Sequence, residues 1–204
     1  MALDSYANLT TAIGTWARRT FTQAQVDEFI AIAESKFNRR LGPNYRRITS
    51  ATVNTDTSGE GTLPSDFLAM RSIVRDVLGS VPLKATSWEA LIAQNPYEVS
   101  DDATEYAIRG STLKVSPVTD DDFLLTYDAK LAGLSSGNTS NWLLVLAPEA
   151  YLFMVLAAQR AFNEEWDASV GFEQKANAIV DELLGQSNVA QFGNSELYLD
   201  IVTP

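Results

Sequence analysis

Two acidic runs have the residue types and the spacing to do chemistry. Asp120-Asp121-Asp122 offers three carboxylates to a hard cation, and Glu164, Glu165 and Asp167 offer an acid and a base for proton transfer. Neither pattern is complete. The first lacks the alternating spacing of a calcium loop and sits where a hairpin needs a polar turn. The second needs a cleft around it and reads better as a turn between two helices. The chain has no histidine and no cysteine. That removes the usual imidazole base, thiolate nucleophiles, zinc fingers, haem and disulfides. Gly59-Glu60-Gly61 is too short a fragment for a dinucleotide fingerprint, and neither a G-x-S-x-G elbow nor an H-E-x-x-H motif is present. The sequence therefore predicts no catalytic residue, no metal ligand and no cofactor. A hydrolase built on carboxylates is the least favoured reading.

Charge supplies a second candidate. The net charge is −11, yet residues 1–50 carry +3 and the remainder −14. Arg39, Arg40, Arg46 and Arg47 form a basic cluster that could face DNA or an acidic patch on another subunit. An acidic body argues against wrapping nucleic acid, because affinity there comes from neutralised phosphates. It does not argue against a surface that DNA slides past. A nucleic-acid-binding module using the four arginines stays open as an alternative, as does a solvated basic rim.

These residues need a scaffold, and 204 residues with 46% hydrophobic content can build a sizeable core. The opening residues have neither a basic nor an apolar leader pattern, so no signal peptide is expected. The stretch Asn141–Glu164 is the most apolar run. It is too short and too interrupted by Pro148-Glu149 for a membrane span, and from Pro148 to Phe162 it reads as a helix buried on most sides. Its aromatic residues, with Trp166 and Phe172 beyond it, read as core.

A first helix is expected over Ser5–Arg18, with Tyr6, Leu9, Ile13 and Trp16 as its stripe. Thr22 and Gln25 fit a capping box for a second helix that Gly42-Pro43 stops. Residues 46–139 change period. Strands are expected at Arg47–Asn54, Met70–Leu78, Val81–Ala85, Glu105–Arg109, Thr112–Ser116 and Phe123–Ala129, with a short helix opening near Trp88. A last helix is expected over Ala168–Leu184, with Gly185 at its C′ position. The fold class is thus α+β: a four-helix bundle from residues 1–45 and 140–187, a small antiparallel β region inserted over 46–139, and an extended C-terminal tail over 188–204. In the tail, Leu197, Leu199 and Ile201 alternate with Tyr198 and Asp200, the pattern of a strand.

The element order, together with several strings, resembles the head-to-tail adaptor (head-completion, connector) proteins of tailed bacteriophages. The strings are VDEFIAIAESKFNRRL at Val26–Leu41, LPSDF at Leu63–Phe67, YAIRGSTLKVSP at Tyr106–Pro117 and NWLLVLAPEAYLFMVL at Asn141–Leu156. The resemblance implies a structural virion protein, made in the bacterial cytoplasm and carried in the neck at the portal vertex. It implies a dodecameric ring beneath the portal protein that extends the channel for double-stranded DNA and presents a surface to the tail or the next neck protein. It involves no membrane. A stopper or tail terminator is the alternative within the same class. The resemblance also implies a portal-binding tail, here Phe192, Leu197, Tyr198, Leu199 and Ile201.

Overall fold

The computed structural model describes residues 3–42, 47–93 and 102–192, the last seven of them as backbone only. Among these residues the fold is mixed α+β, with six helices and two sheets. In chain order the elements are α1 Tyr6–Ala17, α2 Gln23–Arg40, β1 Ile48–Asn54, β2 Glu60–Thr62, β3 Phe67–Arg75, β4 Lys84–Ala85, α3 Trp88–Ala93, β5 Glu105–Arg109, β6 Thr112–Ser116, β7 Asp122–Ala129, α4 Trp142–Leu146, α5 Pro148–Phe162 and α6 Trp166–Phe192. Arg47–Lys130 form one compact unit, and the described residues on either side of it in the chain form the other.

In the helical unit, capping chemistry sets the boundaries. Ser5 caps α1 by accepting from the Asn8 N–H, and the left-handed Arg18 closes it. At α2 the capping box forms as its sequence requires, with Thr22 and Gln25 each satisfying the other's end of the turn. The apolar stretch predicted as one organising run is two helices. Asn141 caps α4 by accepting from Leu144 N at 2.9 Å, and Ala147 then leaves helical geometry at φ −141°, ψ 65°. The cause is Pro148, whose ring disfavours the helical region for the residue before it while suiting the first turn of α5 itself.

Nine residues of α5 are buried, which makes it the axis of the core. Leu9 and Ile13 of α1, Phe29, Ile30 and Phe37 of α2, and Ala176 and Val180 of α6 close around it. The sequence ends α6 at Leu184 and places Gly185 in a left-handed C′ site. The helix instead runs through Gly185 to Phe192, so residues 188–192 are helical rather than extended. A glycine inside a helix costs only about 1 kcal/mol, and Gln186–Phe192 contains no proline to enforce a stop.

The β unit holds two sheets, ordered β1-β7-β3 and β2-β6-β5-β4. The β5–β6 hairpin turns at Gly110 with a positive φ. Phe123, Leu125 and Tyr127 alternate inward from β7 and meet Val53, Ile73, Leu113 and Val115. Three expectations are corrected here. The strand predicted at Met70–Leu78 lies earlier, at Phe67–Arg75. The strand expected over Val81–Ala85 shrinks to two residues and pairs parallel with β5 in the other sheet; after the Gly79 turn the chain returns to β3 through one backbone bond, Leu83 N to the Ile73 carbonyl at 2.9 Å, and forms no ladder with it. The turn cluster around Gly59 contributes a strand of its own, β2. Gly61 within it lies so close to β1 that an added Cβ would stand 2.7 Å from Val53 Cγ1 and 3.0 Å from the Asn54 carbonyl.

Candidate assembly surfaces

Glu34 of α2, Tyr151 of α5 and Asn141 before α4 meet where the chain returns to the helical unit. Tyr151 Oη donates to Glu34 Oε1 at 3.1 Å and accepts from Asn141 Nδ2 at 2.7 Å. Leu134 N donates to the same Glu34 oxygen at 2.7 Å, and Asn141 Nδ2 also reaches the Ala132 carbonyl. Burial raises the Glu34 carboxyl above the usual carboxylate range, against the pull of the Leu134 N–H. Burial and the Glu34 charge push the Tyr151 phenol up as well. With every member hydrogen-bonded, this cluster fixes the returning loop rather than poising a proton for transfer.

Three carboxylates of the acidic runs bond neighbouring side chains. Asp121 pairs with Arg75, and Asp122 accepts from Asn54 Nδ2 at 3.1 Å. Among the described residues no three acids come together in an arrangement that could hold a metal ion. Glu165 accepts from Arg160 Nη1 at 2.6 Å across the α5–α6 joint, where Glu164 takes a positive φ.

The four arginines do not share one role. Arg40 makes a two-pronged contact to Asp181 of α6, at 2.5 and 3.1 Å, one turn along α2 from Lys36, which pairs with Glu173 at 2.5 Å. Arg39 is exposed and bonds Ser35 Oγ within its own helix. Both line one shallow hollow with Lys36, Glu173 and Asn177. Arg47 is buried in the β unit, with Nε donating to the Ala129 carbonyl at 2.9 Å. Burial there lowers its pKa, and Asp128 opposes that shift. Arg46 lies outside the described residues, as do Leu197, Tyr198, Leu199 and Ile201; Phe192 is the last residue of α6.

Surfaces that the residue-type search passed over are apolar. Phe162 and Trp166, read from sequence as core, are 58% and 64% exposed at the α5–α6 joint, although the Phe162 ring meets Phe29 of α2 edge-on at 5.6 Å. Trp16 is exposed too, although its ring meets Phe153 edge-on. In the β unit, Val77, Leu78 and Val81 surround the Gly79 turn, and Leu78 is fully exposed. The signal was present in the string Val77-Leu78-Gly79-Ser80-Val81, an aliphatic turn without a charge. Exposed apolar side chains that adjoin one another, as around Gly79, are the kind of patch that marks an interaction surface.

A family model described as SU10 adaptor protein matches residues 4–196. The chain belongs to the SU10 adaptor protein family. That is a family of phage head-to-tail adaptors, structural proteins of the virion. Comparison with curated proteins finds no match. The adaptor match covers both units, so the β unit is part of the adaptor and not an unrelated insertion. No helix among the described residues is long and apolar enough to cross a membrane.

Proposed function

We propose that the chain is the ring-forming adaptor that joins the portal to the tail or the next neck protein and continues the DNA channel. The observation that carries this is the adaptor-family match over nearly the whole chain. In this reading α1, α2, α5 and α6 act as a four-helix bundle and form the ring wall, twelve copies closing the ring. A bundle with one helix buried on most sides and ion-paired neighbours keeps its shape when copies are pressed together, which a ring wall requires. The acidic balance keeps DNA from adhering to the channel. Among the described residues of the basic cluster, exposed Arg39 is the one to meet an acidic patch on the adjoining copy, since Arg40 pairs with Asp181 and Arg47 is buried in the β unit.

The test is cryo-electron microscopy of purified particles carrying a tag on this chain. A tagged ring directly beneath the portal is the expected result. A ring further down the neck would move the chain to the stopper or terminator class, and its absence from the particle would overturn the reading.

A further inference from the structure

Among the described residues, four strand edges in the β unit lack a partner strand: β1 and β3 in one sheet, β2 and β4 in the other. Three of them are blunted in the ways that proteins use against edge-to-edge pairing. β4 is two residues long and includes Lys84; β2 is three residues long and begins at Glu60. β3 carries Arg71 and Arg75 and shifts register twice, between Phe67 and Ala69 and between Met70 and Ser72.

β1 has none of these defences. It runs seven residues in unbroken register with β7 and contains no charge, proline or glycine. Among the described residues, no backbone hydrogen bond outside the β7 ladder is made by Ile48–Asn54. Only its C-terminal end is covered, where β2 lies against Val53 and Asn54. The apolar cluster is also unfinished along this side. Val53 is buried, but Ala51, two residues back on the same face, is half-buried at the margin of the cluster.

An occupant must supply a strand of about five residues, nearly uncharged, with large apolar side chains alternating toward Ala51. Leu197–Val202 has that chemistry: Leu197, Leu199 and Ile201 fall on one face, and Asp200 is its one charge. Twelve residues follow Phe192, enough to reach ~40 Å when extended.

We infer that the β1 edge is the landing site for the C-terminal segment of a second copy of this chain, which adds as a fourth strand and completes the apolar margin at Ala51. Main-chain hydrogen bonds give such a contact its affinity, and the alternating leucines give it register. The inference rests on the adaptor reading in one respect, that copies of the chain assemble. Portal attachment through the same residues, as the family resemblance implies, is the competing use of the segment.

The test has two parts. A fluorescein-labelled peptide of residues 193–204 is titrated with the chain shortened to residue 192, and Ser50→Pro and Ala51→Pro are compared. N–H groups of adjacent strand residues point to opposite sides, so one of the two prolines blocks the free edge and spares the β7 ladder. We expect the peptide to bind, and the edge-blocking proline that still folds to weaken it by about tenfold or more. In parallel, hydrogen exchange of β1 is followed in the full chain and the shortened chain, with sedimentation reporting association. Slowed exchange in the full chain, together with association that is lost on shortening, supports the second-copy site. Three outcomes overturn it: a peptide that ignores the chain, β1 exchange unchanged by the segment, or protection of β1 in a full chain that stays monomeric. None of the three touches the position of the ring in the particle, so the adaptor reading stands or falls separately.

Discussion

In the helical unit, buried residues of α1, α2 and α6 pack around α5, side chains cap the starts of α1, α2 and α4, and Lys36 and Arg40 tie α2 to α6. In the β unit, nine buried residues form the main core, β1 has no partner strand along its outer edge among the described residues, and Leu78 stands fully in solvent. Helices satisfy their own backbone, so a helical unit is finished once its apolar stripes meet. A small sheet is finished only when its edges are, and here one edge is left unguarded. The contrast separates the part of the adaptor that holds shape alone from the part that still has bonding capacity.

The largest effects should come from emptying each core in turn. Phe37→Ala and Phe123→Ala should each cost about 3–5 kcal/mol, since both rings are fully buried. Trp88 is the β unit's tryptophan, whereas Trp16, Trp142 and Trp166 report on the helical unit. In urea titrations each variant should move the transition seen by its own unit's tryptophans. One common transition, moved equally by both, would dissolve the comparison. Next is Gly61→Ala, which forces a methyl onto Val53 and the Asn54 carbonyl and should cost about 1–3 kcal/mol, read at Trp88. If it proved neutral, β2 would be far looser against β1 than its contacts indicate.

Within the helical unit, Tyr151→Phe removes one hydroxyl from a satisfied cluster and should cost about 1–2 kcal/mol by thermal melting. Thr22→Ala, which removes the α2 cap, should cost about 1 kcal/mol. The subtlest effect is one of pH. Glu34 has its carboxyl pKa raised by burial, so the protonated form favours the fold. That contribution is fully present below the ordinary carboxylate value and is lost as pH rises through the higher folded value. Glu34→Gln keeps an oxygen for the Leu134 and Tyr151 donors without a charge to bury. Relative to wild type, the variant should therefore gain stability between pH 4 and pH 7, and a constant difference across that range would contradict the burial account.

The legible parts of the fold were those with local causes. The Thr22–Gln25 box, the Pro148 first turn and the inward alternation of Phe123, Leu125 and Tyr127 each depend on residues a few positions apart, and each formed. What the sequence did not show depends on partners distant in the chain. Nothing near Lys84 says that it pairs with Glu105 rather than with β3, and nothing near Gly185 says that its helix continues. The basic cluster looked like one surface because four arginines were close in sequence. Distant acceptors, Asp181 for Arg40 and the Ala129 carbonyl for Arg47, gave those two arginines different duties. The exposure of Phe162 and Trp166 was hidden for the same reason, since a ring at a helix joint has an apolar sequence neighbourhood whether one side of it is covered, as Phe29 covers Phe162, or all of it.

The Arg47 clip has a mechanical consequence. Ile48 pairs with Asp128 at one end of the β1–β7 ladder, and Arg47 bonds the Ala129 carbonyl just beyond it, so the chain arrives at the β unit and leaves it side by side. Tension applied through those two strands would open the ladder one pair at a time, like a zipper, the geometry in which a sheet resists force least.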